Sequence, residues 1–286
     1  MRMSTAITTR LEQARGLDRP ASLLRGLVGR VPEGRIRDIA HGVPIGHPVH
    51  PLLVQVPIGA WLSASVLDFV PGTGPASGVL ITVGLGAALP AAAAGAIDWA
   101  QTHEQQQRVG LVHATANSAA VGLYAASLWA RLRKRPIRGR LLALAGLTAV
   151  GAGGLLGGHL AYRQATGVNH AEQVPHVVGD GSRWHPIGLL SALPLGTPVR
   201  RFVGETPVLV VRGRDRVDVL ADRCAHLSGP LSEGEVRDGR VTCPWHDSVF
   251  ELRTGEVVHG PATAPQPVFE TRVDGDELRV RLPGAG

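Results

Sequence analysis

The sequence predicts two unlike parts, an N-terminal all-α four-helix transmembrane bundle and a C-terminal all-β domain. Three observations predict them. Four consecutive apolar runs lie between residues 51 and 162, and crossing a bilayer as a helix takes about 20 apolar residues. After about residue 183, charged and apolar residues alternate in short stretches, the period of a half-buried strand. The only two cysteines, Cys224 and Cys243, fall in that second part, each with a histidine within three residues. The expected boundaries are an amphipathic amino tail at 1–46, the bundle at 47–163, a linker at 164–183 and the β domain at 184–283.

The tail carries Ile7, Leu11, Ala14 and Leu17, then Leu23, Leu24, Leu27 and Val28, at helical spacing with arginines between them. Such helices either lie on a membrane surface or pack on the rest of the protein. No apolar core is followed by a small-residue cleavage site, so no signal peptide is expected. The formal net charge is +6, and the arginines cluster beside apolar runs. Anionic lipid is therefore the expected counterpart, not nucleic acid. Two cysteines form at most one disulfide, which excludes a disulfide scaffold.

The four apolar runs cover roughly 51–70, 78–99, 109–130 and 141–162, separated by "VPGTGPASG", "QTHEQQQR" and "RLRKRPIRGR". The alternative, a buried soluble bundle, has to enclose four charge-poor runs in a small protein. Gly154 and Gly158 are spaced to let helix backbones approach closely. Polar groups inside such runs are costly and mark function or pairing. His47, His50, Asp98, His113, Asn117 and His159 are expected at one membrane face, with Asp68 at the other. His113 and His159 are the first pair to consider as axial ligands of haem b or as a quinone site; hydrogen bonding between helices is the structural alternative. Six basic residues between Arg131 and Arg140 place the third loop in the cytoplasm, while the eight arginines of the tail place the amino terminus there. By parity these two signals assign the carboxyl-terminal domain to opposite sides of the cell membrane.

"HPLLVQVPIG", residues 50–59, resembles the opening of a bacterial four-helix membrane family of unassigned function, and Gly157, Gly158, Leu160 and Tyr162 match its pattern near the last helix. Gln55 departs from it, standing where that family often has a histidine.

In the second part, "PVLVVRG", "RVDVLADR", "GRVTCP" and "SVFEL" read as strands, and "ETRVDGDELRVRL" as a hairpin closed at Asp274–Gly275. The ligand pattern is Cys-x-His, sixteen intervening residues, then Cys-x-x-His. A zinc finger normally pairs its cysteines and its histidines separately. Here each loop supplies one of each. That suits a two-iron cluster in which two thiolates hold one iron and two imidazoles the other. A Cys2His2 zinc site is the alternative.

Residues 184–282 resemble a Rieske [2Fe–2S] domain, with Cys224–Ala225–His226 and Cys243–Pro244–Trp245–His246 as the two cluster-binding loops and "GPATAP", residues 260–265, as the proline loop that covers the cluster. The resemblance implies that Cys224, His226, Cys243 and His246 are the cluster ligands and that Ser248 tunes the cluster by hydrogen bonding. Phe250 stands where the family usually has a tyrosine. Quinol-oxidising members carry an additional cysteine in each loop, absent here, so the domain looks closer to the ferredoxin type. The expected function is that of a multi-pass membrane protein transferring single electrons between a membrane donor, quinol or haem, and a redox partner. It is a component of an oxidoreductase system, not a stand-alone catalyst. A quinol-oxidising subunit and a redox-sensing membrane module are the alternatives.

Overall fold

The computed structural model describes residues 3–178 and 183–283; positions 179–182 of the expected linker lie outside the described residues. Its contacts divide the chain into two compact units. One gathers Met1–Pro32 and Pro48–Thr166, the other Glu33–His47 and Gly167–Gly286. In chain order the α-helices are α1 (Met3–Glu12), α2 (Asp18–Val28), α3 (Arg35–His41), α4 (Val49–Leu53), α5 (Gln55–Leu67), α6 (Gly74–Ala100), α7 (Glu104–Leu132), α8 (Pro136–Gly158) and α9 (Val174–Val177).

The sequence predicts four spanning helices; among the described residues the structure has eight helices up to residue 158, of which α3 belongs to the second unit. Among the described residues, three segments are long and apolar enough to cross a membrane: Val49–Leu67, Gly74–Ala100 and Pro136–Arg163. The expected third run falls inside α7. Its first turns carry Glu104, Gln105, Gln106, Gln107 and Arg108, with His113 and Asn117 further on, and these polar groups keep it out of that set. The expected first helix is broken between α4 and α5. Pro57 explains the break: it has no N–H to give the Leu53 carbonyl, and its ring crowds that carbonyl.

Small residues line the interior of the helical unit. Ala60, Ala64, Ala88, Ala120 and Ala143 are buried, and Trp61 stacks on Tyr124 with ring centroids 4.4 Å apart. Gly84 makes room for that stack, since a Cβ there would fall 2.2 Å from Trp61 Nε1. Val56, Leu62, Val66, Val79, Leu89 and Leu141 face outward and are exposed. The amphipathic helices α1 and α2 pack against α7. Arg108 fixes them there, donating to Asp18 Oδ1 at 2.5 Å and to the Glu12 carbonyl at 2.8 Å.

Asp68, the one polar residue expected at the far face, is buried. Arg131 grips both its oxygens, at 2.9 and 2.5 Å, and the Ser77 hydroxyl donates to Oδ1 at 2.8 Å. This joins α6 and the ends of α5 and α7.

The second unit holds two antiparallel sheets. The strands are β1 (His185–Leu189), β2 (Pro198–Val203), β3 (Thr206–Arg212), β4 (Val217–Ala221), β5 (Glu235–Arg237), β6 (Arg240–Thr242), β7 (Val249–Glu251), β8 (Val257–His259), β9 (Val268–Asp274) and β10 (Glu277–Arg281). The larger sheet has the order β1-β10-β9-β4-β3-β2 and the smaller β5-β6-β7-β8. The expected hairpin is β9–β10, with Asp274 opposite Glu277. Alternation along β3 and β4 builds two cores. Val208, Val210, Val219 and Ala221 face Phe269 and Leu278 on one side. Leu209, Val211 and Leu220 face Val241, Phe250 and both cysteines on the other. The connector also docks: Ala171, Val174 and Val178 are buried, the latter two in the first core.

Removing one partner of a buried ion pair strands the other, a loss of about 3–5 kcal/mol. Asp68→Ala and Arg131→Ala are each expected to destabilise the detergent-solubilised protein on that scale, measured by chemical unfolding. The apolar double variant Asp68→Leu/Arg131→Met is expected to lose less than either single one.

Candidate metal centre

Two loops that repeat one backbone pattern carry the four predicted ligands. In the first, the Cys224 N–H donates to the Gly229 carbonyl at 2.8 Å and the Ser228 N–H returns to the Cys224 carbonyl at 2.9 Å. In the second, between β6 and β7, Cys243 N–H donates to Ser248 O at 2.8 Å and Asp247 N–H to Cys243 O at 3.2 Å. Both loops reverse through a residue of positive φ four places after the cysteine, Ser228 at 62° and Asp247 at 60°. Short polar side chains tolerate that left-handed conformation better than β-branched or bulky ones.

The first loop is tied down at its base. Asp222 is buried, takes the Arg200 Nε–H at 2.7 Å and accepts the Ser232 N–H at 2.6 Å. The connector adds a tie beside Cys224, from the His170 N–H to the Ala225 carbonyl at 2.9 Å. The loops then meet closely. A Cβ on Gly229 would lie 2.7 Å from Cys243 Sγ and 3.2 Å from the Trp245 ring, so only glycine fits there.

This meeting brings like groups together. Cys224 and Cys243 are free thiols, both buried, and they hydrogen-bond one another. The shared hydrogen bond draws Cys243 down to about 7. The same neighbour, together with burial, pushes Cys224 well above the usual thiol range. A second thiolate beside the first is opposed by like charge in a dry setting, so an uncompensated pair holds one proton. The His226 and His246 rings stand edge to face with centroids 5.0 Å apart, and Trp245, about half exposed, packs beside His246.

Among the described residues, no three Cys, His, Asp or Glu side chains converge on a point where one metal ion can sit. A tetrahedral zinc site needs such convergence. A thiol pair beside an imidazole pair suits two bridged metal atoms, one held by sulfur and one by nitrogen, and the donor set fits a [2Fe–2S] group. Positive metal charge also relieves the repulsion that otherwise keeps a proton on the thiol pair.

Ser248 is fully buried behind this pair. Its oxygen accepts the Ala262 N–H at 3.0 Å, and its hydroxyl hydrogen-bonds Cys224. Phe250 is buried beneath, without a hydroxyl to offer. In the helical unit, His113 Nδ1 donates to the Gly153 carbonyl at 2.8 Å, while His159 Nε2 is taken by Glu12 Oε1 at 2.8 Å. His50 makes the same kind of bond as His113, from Nδ1 to the Ala91 carbonyl at 2.8 Å. Sequence reasoning missed Asp222 and the residues of α3 that reach this unit. Asp222 stands two places before Cys224, a position that could have drawn notice; α3 lies some two hundred residues away, and nothing local marks it.

Comparison with known proteins gives two matches along the chain. Residues 183–270 match the family described as Rieske [2Fe-2S] domain. Residues 46–170 match a family described as "Predicted membrane protein (DUF2231)". The anthranilate 1,2-dioxygenase ferredoxin subunit of Burkholderia cepacia is 34% identical over 101 residues, which span 35% of this chain and 94% of that protein. Ferredoxin CarAc of Metapseudomonas resinovorans is 34% identical over 99 residues, 34% of this chain and 92% of its own. A solved complex of reduced oxygenase and oxidized ferredoxin in carbazole 1,9a-dioxygenase aligns at 33% identity over 34% of this chain and 92% of the other, with a TM-score of 0.33.

In chain freed of metal by chelation, ultraviolet thiolate absorbance is expected to rise in two separated steps. The first is centred near pH 7 and is lost in Cys243→Ser; the second comes well above the usual thiol range. A single step carrying both thiolates contradicts the pairing.

Proposed function

From the premise that the chain belongs to the Rieske [2Fe–2S] family, we propose that it carries single electrons between a donor in the membrane and a separate redox protein. The observation that carries this reading is the meeting of two matching loops, which sets a thiol pair and an imidazole pair together. Cys224 and Cys243 would hold one iron, His226 and His246 the other. When bound, such a cluster supplies reversible one-electron chemistry, with imidazole ligation lifting its potential into a range of about −150 to +300 mV.

The protein's own groups do the rest. Burial of both cysteines in an apolar core keeps water from the sulfur side. The Ser248 hydroxyl bonded to Cys224 would favour the reduced form of a bound cluster. Trp245, exposed beside His246, marks the edge at which a partner approaches. The relatives are named as ferredoxins, one of them a dioxygenase subunit, and a redox enzyme of that general kind is the proposed acceptor.

A multi-pass membrane location is supported by the inverted packing of the helical unit. Many large apolar side chains face outward, while alanines fill much of the interior, the arrangement expected when lipid supplies no hydrophobic drive between helices. Of the two donors, quinol fits better than haem b. Glu12 engages the Nε2 of His159, which counts against the expected His113–His159 axial pair. A carbonyl only accepts, so His50 and His113 each carry the proton on Nδ1; the Nε2 of His113 takes the Asn117 amide at 3.2 Å, and the Nε2 of His50 is the acceptor suited to a quinol hydroxyl.

The test is reduction of purified, detergent-solubilised protein by a short-chain quinol, followed by electron paramagnetic resonance. A reduced two-iron signal in the wild type, absent from Cys224→Ser and His246→Ala, is expected. Reduction slowed about tenfold or more by His50→Ala, with dithionite reduction unchanged, supports the quinol donor. A signal formed by dithionite alone, and never by quinol, rejects that donor while leaving the cluster intact.

A further inference from the structure

The short helix α3 and the turn after it, Val43–Ile45, belong to the same compact unit as the β domain although they lie far earlier in the chain. They pack on the segment leaving β8. Asp38 accepts twice there: the Gly260 N–H donates to Oδ1 at 3.0 Å, and His259 Nδ1 lies 2.9 Å from Oδ2. His41 is buried, and a Cβ on Gly260 would fall 3.1 Å from both its ring and Val43. A Cβ at residue 260 would require His41 or Val43 to give way by a few tenths of an ångström.

What Asp38 holds leads directly to sulfur. Two residues after Gly260, Ala262 is buried in the same core as both cysteines. Its N–H donates to Ser248 Oγ at 3.0 Å, and the Ser248 hydroxyl in turn hydrogen-bonds Cys224. An oxygen that accepts an N–H on one side directs its own proton to the other, and bonds linked in this way strengthen one another.

We propose that Asp38 is a positioning residue for the metal centre: by clamping Gly260 it holds the Ala262 amide on Ser248 and so keeps the Ser248 hydroxyl aimed at Cys224. This rests on the reading that Cys224 holds iron. The ferredoxin relatives match about a third of this chain, within the β domain, so α3 is an addition that lets a segment outside the matched domain act on its metal centre. A hydrogen bond donated to a ligand sulfur stabilises the reduced form and raises the potential. Loosening the clamp therefore lowers it. Loss of a carboxylate charge acting through space does the opposite.

The experiment is a redox titration of the full-length protein followed by electron paramagnetic resonance, with amide hydrogen exchange measured alongside. Asp38→Ala is expected to lower the midpoint potential and to speed exchange of the Ala262 amide about tenfold. Asp38→Asn, which keeps an acceptor for the Gly260 N–H, is expected to shift both less. In a Ser248→Ala background the Asp38→Ala potential shift is expected to vanish. A raised or unchanged potential, or an equal shift with and without the Ser248 hydroxyl, overturns the proposal. If Asp38→Ala fails to retain iron, exchange at Ala262 in the iron-free chains decides: faster than wild type upholds the clamp, equal overturns it. A wild-type protein with no reduced two-iron signal sinks the electron-carrier reading instead, a separate result from any of these.

Discussion

Two thiols pressed together in a dry interior form the constraint around which the β domain is arranged. Left alone, they resist a second negative charge, and the arrangement is comfortable only when positive metal charge lies against it. The chain nonetheless invests much structure in keeping them there. Asp222 and Arg200 anchor the first loop, the connector ties Ala225, and β6 and β7 carry the second loop as a hairpin. Gly229 lets the loops touch. Behind them, both faces of β3 and β4 are buried, so the platform cannot shift without disturbing two cores.

The helical unit solves a different problem. Its interior is rich in alanine and glycine, with the Trp61–Tyr124 stack, Ile81 and Val150 among them, and buried arginines meet carboxylates there: Arg131 with Asp68 inside, Arg108 with Asp18 near one end. His50 and His113 donate to backbone carbonyls, and His159 meets Glu12. Protonation on Nδ1 separates the first two histidines from the third.

Much of this was legible in the sequence because it is local. Period-two alternation in "PVLVVRG" and "RVDVLADR" gave the central strands, and Asp274–Gly275 gave the hairpin. Cys-x-His and Cys-x-x-His gave the two loops, since ligand spacing within a loop is a local property. Helix number was misjudged where a property averaged over a run hid its details. Pro57 breaks the first run by a single missing N–H, and His113 and Asn117 dilute the third. The role of α3 was illegible for another reason. Asp38 acts across more than two hundred residues on a backbone amide, and no pattern in either segment announces the other.

The central claim is that two cysteines and two histidines divide between two irons. Mössbauer spectroscopy of protein enriched in iron-57 tests it most directly. The account predicts two unequal iron sites in equal amounts, with the added electron localised on the nitrogen-ligated one after reduction. A single kind of iron site, or a chain that binds one zinc and no inorganic sulfide, contradicts it.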